Sequence, residues 1–206
     1  MLYDLSPRIS PALAVWPGDT PPSREVIQDL ARGDTVTLST LRATVHLGAH
    51  ADAPSHYGAG APAMEDRPLE LYLGECQVMR VPGKRGALVT AEMLSGAVTA
   101  PRVLLATGTA PDASVFNRDF AALAPELVDH LHEQGVRLIG VDTPSVDPSD
   151  SKTLPAHHRF LAHDMGILEG LALAGVPEGR YELIALPLRL VGFDASPVRA
   201  VLRSLR

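Results

Sequence analysis

Between positions 46 and 56 the chain reads His46-Leu47-Gly48-Ala49-His50-Ala51-Asp52-Ala53-Pro54-Ser55-His56, which gathers three of its eight histidines and a carboxylate into one short stretch. Imidazole and carboxylate are the usual nitrogen and oxygen ligands of zinc and similar divalent ions. Bringing them to one point restricts the backbone severely. On a helix His46 and His50 would share a face, but Asp52 would point roughly 200° away. On an extended chain the even-numbered positions share one side, yet His46 and His50 would then lie about 13 Å apart. That is too far for one ion whose ligands each sit ~2 Å from it. The chain must bend between them, and Gly48 is the residue that permits a bend, while Pro54 keeps the next segment out of a helix. The expectation is a strand ending near His46, then a tight loop that folds His50 and Asp52 back beside it.

The pattern His-x-Gly-x-His-x-Asp-x-Pro-x-His resembles the signature of the metal-dependent cyclase or kynurenine formamidase family of hydrolases. The commonest form of that signature has Thr where this chain has Ala49. The version Gly-Ala-His-Ala-Asp-Ala-Pro is similar to the formamidase branch in particular. The resemblance spans most of the chain and implies the swivelling β/α/β fold of that family, an aromatic side chain contacting substrate at Trp16, and a homodimer.

The rest of the chain bounds the answer. Its 206 residues, 46% hydrophobic and 20% charged, suit one well-buried domain over 1–206 rather than two domains or a disordered chain. A net charge of −6 offers no basic field for nucleic acid or an anionic membrane surface, so a small-molecule partner is expected. Met1 to Ser6 lack a basic stretch leading into an apolar run, and no apolar stretch approaches the ~20 residues that span a bilayer. A cytoplasmic location is the expectation. Cys76, the only cysteine, excludes an internal disulfide and leaves any metal to nitrogen and oxygen ligands.

Short Val-, Leu- and Ile-rich runs at Leu2–Ser6, Val36–Ser39, Ala43–His46, Gly74–Val81, Arg102–Thr107, Arg137–Asp142, Ile184–Val191 and Val198–Leu202 read as strands, with Gly192–Pro197 as a turn. Pro125 opens a helix whose Leu127, Val128 and Leu131 form one apolar stripe, and Thr90 precedes a short capped helix. Strands interleaved with a few helices indicate one α/β domain. The Gly- and Pro-rich stretch from Gly58 to Pro68 is expected to wall a pocket. Trp16 sits beside a Pro-Gly turn, where a stacking surface for a planar ligand would fit.

A second cluster follows Pro155, which starts a helix carrying His157 and His158. On one continuous helix His157 and Glu169 would be about 18 Å apart. A reversal at Gly166 would bring Glu169 back alongside. The resemblance implies a second ligand pair of this kind, a histidine at the start of the helix and a glutamate twelve residues on, which His157 matches and His158 misses by one. With that pair added, His46, His50, Asp52, His157 and Glu169 are more ligands than one catalytic ion needs. A carboxylate can bridge two ions, so the expected division is His46, His50 and Asp52 on one and Asp52, His157 and Glu169 on the other. Zinc is the first expectation and manganese the alternative. His56 is left over for general acid and base chemistry, or else as a further ligand or a supporting hydrogen bond. The reaction class expected is hydrolysis of a C–N amide bond. The resemblance implies N-formyl-L-kynurenine as substrate, with ring-opening of a cyclic amide or imide, and a metal-binding module without turnover, as the rivals.

Overall fold

Most of the apolar runs become strands of one mixed sheet in the computed structural model, which describes residues 1–205. In chain order the strands are β1 (Leu2–Asp4), β2 (Ser23–Gln28), β3 (Leu38–Arg42), β4 (His50–Asp52), β5 (Leu73–Arg80), β6 (Leu88–Val89), β7 (Arg102–Ala106), β8 (Ala122–Leu123), β9 (Leu138–Val141), β10 (Gly166–Glu169), β11 (Gly179–Ile184), β12 (Ala195–Pro197) and β13 (Val201–Ser204). Two helices accompany them, α1 (Pro125–Glu133) and α2 (Pro155–His163). Nine strands form one sheet in the order β1-β13-β11-β5-β7-β9-β10-β4-β12. The middle strands β5, β7, β9 and β10 run parallel, and antiparallel pairs extend the sheet on both sides.

The sheet curls. Ala51 of β4, near one end of the strand order, packs in the same buried cluster as Val78 and Leu104 of the middle and Leu202 of the far side. The opposite face of the parallel centre carries Met79, Val103, Leu105, Ile139 and Ile167, and both helices cover it. Helix α1 does so with Leu127, Val128 and Leu131, all fully buried, each contributing roughly 1.5–3 kcal/mol of apolar burial. It stops where Gly135 N–H donates to His132 O and Val136 N–H to Leu131 O, at 2.9 and 3.0 Å, a Schellman ending. The α/β class read from the sequence is the class found.

Several expected elements move. His46 lies on a bend, and the strand begins at His50. The strand expected at Ile184–Val191 lies at Gly179–Ile184, because Tyr181 and Leu183 alternate inward whereas Leu186, Leu188 and Val191 are exposed and Pro187 has no N–H for a ladder. The expected turn at Gly192–Pro197 contains β12. After Thr90 there is only a 3₁₀ turn, Ala91–Met93, without a side-chain cap. Among the described residues, strands β2 and β3 pair only with each other, and every residue of β3 is exposed. No helix among the described residues is long and apolar enough to cross a membrane.

Candidate metal centre

Strand β4 lies between β10 and β12, so it is buried along its whole length. Strand alternation sends Ala51 into the inner core and turns His50 and Asp52 to the other side. Glu169 is the β10 residue opposite His50, which puts its carboxylate beside them. Gly48 has a left-handed φ of +59°, the bend that the spacing of the histidines requires. Its carbonyl faces His50 Nδ1 at 2.9 Å and accepts that ring proton, so His50 Nε2 is the nitrogen turned inward.

His157 arrives from the start of α2. The Asp147 carboxylate accepts from the Ala156 and His157 N–H groups, each at 3.0 Å, and so caps the helix. Its Oδ2 also lies 2.6 Å from His157 Nδ1. One carboxylate therefore fixes both the helix end and the ring, and directs His157 Nε2 toward Asp52 Oδ2 at 3.5 Å and Glu169 Oε1 at 3.7 Å. His158, one residue on, is exposed. The chain does reverse at Gly166 into β10, as the pairing of His157 with Glu169 demanded.

All five residues expected as ligands come together. His46 Nδ1 is 3.1 Å from Asp52 Oδ1, and His50 Nε2 is 3.5 Å from the same oxygen and 3.4 Å from Glu169 Oε2. His50, Asp52, His157 and Glu169 are 4%, 2%, 2% and 3% exposed. The ligand atoms close into two triads that share Asp52, one with His46 and His56 and the other with His50 and Glu169. That grouping differs from the expected division, since His50 sides with Glu169 and His56 with His46.

The electrostatics of the cluster call for a cation. Burial would lower the pKa of His46, but Asp52 and Asp194 outweigh it and raise it to about 9. Burial likewise opposes protonation of His157, and Asp147 and Asp52 push it up to about 10. His50 is also raised against burial, by Glu169 and Asp52. Asp52 is held well below the usual carboxylate range, its burial overcome by His157 and His46. Among the described residues, His50 Nε2 and both Asp52 oxygens are nevertheless buried without a hydrogen-bond partner. Buried polar atoms are rarely left so. A divalent ion fits this donor set, because it would replace the ring protons and give the orphaned atoms a partner.

His46, His50, His157 and Glu169 line a cavity of about 560 Å³. His56 stands at its edge with a side chain 35% exposed. Trp16 is in the wall, edge-on to Phe116 with ring centroids 5.0 Å apart. The stretch Gly58–Pro68 takes no part in this wall, contrary to expectation. Its place is taken by the Ala110–Asn117 segment, tied to the Trp16 segment by a bond from Ala14 N–H to Ala113 O at 2.9 Å.

Two acids at the centre were not singled out from the sequence. Asp147 lies nine residues before the helix residue Ala156, and a carboxylate ahead of a Pro-started helix is the signal that could have marked it as a cap. Asp194, assigned to a turn, lies with Oδ2 3.0 Å from His46 Nε2 and 3.2 Å from His56 Nδ1.

A curled mixed sheet that closes a buried histidine–carboxylate cluster against a helix start defines the class, an α/β protein built around a candidate metal centre. The particular family follows from comparison. The Cyclase family model, described as putative cyclase, matches residues 3–148, and the chain belongs to that family. Solved structures agree with the fold. A potential metal-dependent hydrolase with cyclase activity is similar at a TM-score of 0.85 and 28% identity, over 98% of this chain and 96% of the other. A predicted metal-dependent hydrolase from Bacillus stearothermophilus is similar at 0.81 and 29%, over 98% and 97%. Isatin hydrolase A from Labrenzia aggregata matches at 0.83 and 23%, over 98% and 93%, a likeness of fold.

Proposed function

We propose that the chain is a metal-dependent hydrolase that cleaves the formamide C–N bond of N-formyl-L-kynurenine to give L-kynurenine and formate. The observation that carries the hydrolase reading is the buried set His46, His50, Asp52, His157 and Glu169, with orphaned donor atoms, opening onto a cavity with an aromatic edge. Membership of the Cyclase family and the metal-dependent hydrolases among its structural relatives support it. The formamide substrate is supported by the Gly-Ala-His-Ala-Asp-Ala-Pro stretch, which is similar to the formamidase branch.

These five residues would hold two divalent ions, zinc or manganese. A divalent ion there would supply Lewis acidity, lowering the pKa of a water toward about 7 and polarising the amide carbonyl. The protein's own groups do the rest. Trp16 offers an edge of the cavity against which the substrate's aromatic ring packs. His56 Nε2 takes the proton lost by the attacking water as its oxygen bonds to the formyl carbon, then gives it to the aniline nitrogen as the C–N bond breaks. The buried carboxylates keep the donor set assembled throughout.

The test is formate release from N-formyl-L-kynurenine by protein of measured metal content, with and without chelator. Release that the chelator abolishes supports the reading. Faster opening of isatin or another cyclic amide would move the substrate to that class, which the names of several structural relatives suggest. His56→Ala is expected to keep the metal and lose most turnover, by about 10²–10⁴-fold. Loss of metal on that substitution would favour a closed binding module instead.

A further inference from the structure

One side chain, Asp194, joins two halves of the site. Its carboxylate oxygen Oδ2 reaches two rings, His46 Nε2 at 3.0 Å and His56 Nδ1 at 3.2 Å, and the rings lie 4.3 Å apart between centroids. We propose that Asp194 is the positioning residue for His56, holding its ring with Nδ1 protonated and Nε2 presented to the substrate.

The backbone around Asp194 is built to hold that oxygen still. Its carbonyl accepts from Ala53 N–H at 2.8 Å, and the next residue, Ala195, is the β12 partner of Asp52. The same strand pairing that buries Asp52 therefore fixes where the Asp194 side chain starts. His56 has no comparable support of its own. It ends the 3₁₀ turn Pro54–His56, its side chain is 35% exposed, and Asp194 Oδ2 is the one hydrogen-bond partner of its ring among the described residues.

An imidazole that accepts and returns a proton needs one nitrogen committed elsewhere, because a ring free to turn presents either nitrogen and either tautomer. A carboxylate accepting from Nδ1–H removes that ambiguity and stabilises the imidazolium while the ring holds the extra proton. Balance is simple. The water proton moves to Nε2, and the same proton leaves from Nε2 to the departing nitrogen, while Nδ1 keeps its hydrogen and Asp194 stays ionised. The bond to His46 Nε2 gives the same oxygen a second load, so the proton carrier and a metal-site ring are held by one side chain.

This inference rests on the hydrolase reading for its kinetics, but not for its spectroscopy. On metal-loaded protein, ¹⁵N shifts of the His56 ring should report a single Nδ1–H tautomer, and Asp194→Ala should give a mixture. In formate release at saturating metal, Asp194→Ala should lower kcat about 10–100-fold with KM nearly unchanged, the excess ion offsetting the weaker hold on His46. Asp194→Asn, which keeps an acceptor oxygen, should recover part of the loss. In a His56→Ala background, Asp194→Ala should cost less than ~2-fold, because the residue acts through that ring. The proposal is overturned if the tautomer is unaffected by Asp194→Ala, if the kcat loss is equal in both backgrounds, or if saturating metal restores full activity to Asp194→Ala. A single wild-type tautomer that Asp194→Ala scrambles, in a protein that releases no formate, would sink the substrate reading and leave this one standing.

Discussion

Gly170 follows Glu169 directly and meets the loop that carries the first histidines, so alanine there should damage the centre without touching a ligand. A Cβ at 170 would sit 2.2 Å from the Gly48 carbonyl oxygen and 2.9 Å from its carbon, both backbone atoms, so that one of the two segments must move by at least 0.8 Å to reach 3.0 Å. Gly170 also has φ +65°, a left-handed backbone that costs alanine roughly 1–2 kcal/mol. Overpacking adds about 1–3 kcal/mol, for a total of roughly 2–5 kcal/mol. For a chain of this size that lowers Tm by roughly 4–20 °C. The displaced carbonyl is the one that orients His50, so metal affinity should fall about 10–100-fold as well. The assay pairs thermal unfolding with chelator competition for zinc. Gly86→Ala is the control, with φ +71° and nothing within 4 Å of its Cβ, and carries the backbone cost alone. The reasoning fails if Gly170→Ala melts no lower than Gly86→Ala and binds zinc as tightly as the parent.

Asp147→Asn should weaken zinc binding about 10–100-fold by releasing His157, and fray the start of α2 at a cost of about 0.5–2 kcal/mol, read by metal competition and hydrogen exchange. The chelator-treated protein should lose Tm as pH rises, because His46 and His157, burial notwithstanding, are raised to about 9 and about 10 by Asp52 and Asp147 from the usual 6.5. A raised histidine stabilises the fold fully below its unfolded value and stops doing so as pH passes its folded one, so the decline falls between pH 6.5 and 10, and a Tm that climbs over that interval would contradict it. Trp16→Ala should raise KM for an aromatic amide roughly 3–10-fold with kcat little changed, and an unchanged KM would remove the ring from the binding wall.

What the sequence made legible follows from how local each signal was. Gly48 between two histidines forced a bend that geometry alone could foresee, and that bend is present. The pairing of His157 with Glu169 needed a reversal at Gly166, and β10 begins there. The strand expected to end near His46 is instead His50–Asp52, because that strand is stabilised by neighbours from the far end of the chain rather than by its own three residues. Asp194 escaped for the same reason. A lone aspartate in a Gly-Phe-Asp-Ala sequence carries no local sign that its oxygen meets rings well over a hundred positions earlier.

The setting of β4 between β10 and β12 also dictates a timetable. As the chain is synthesised, the stretch with His46, His50 and Asp52 emerges early and finds no strand to pair with until residues 166–169 and 195–197 have followed. Loop closures of that length are slow, and they must precede any reward from pairing. A nascent chain thus carries its first candidate ligands as an open, histidine-rich segment, able to meet stray ions but unable to hold one in the final geometry. Assembly of the candidate centre is therefore tied to completion of the sheet, and any loading with metal would report on whether the last strands have docked.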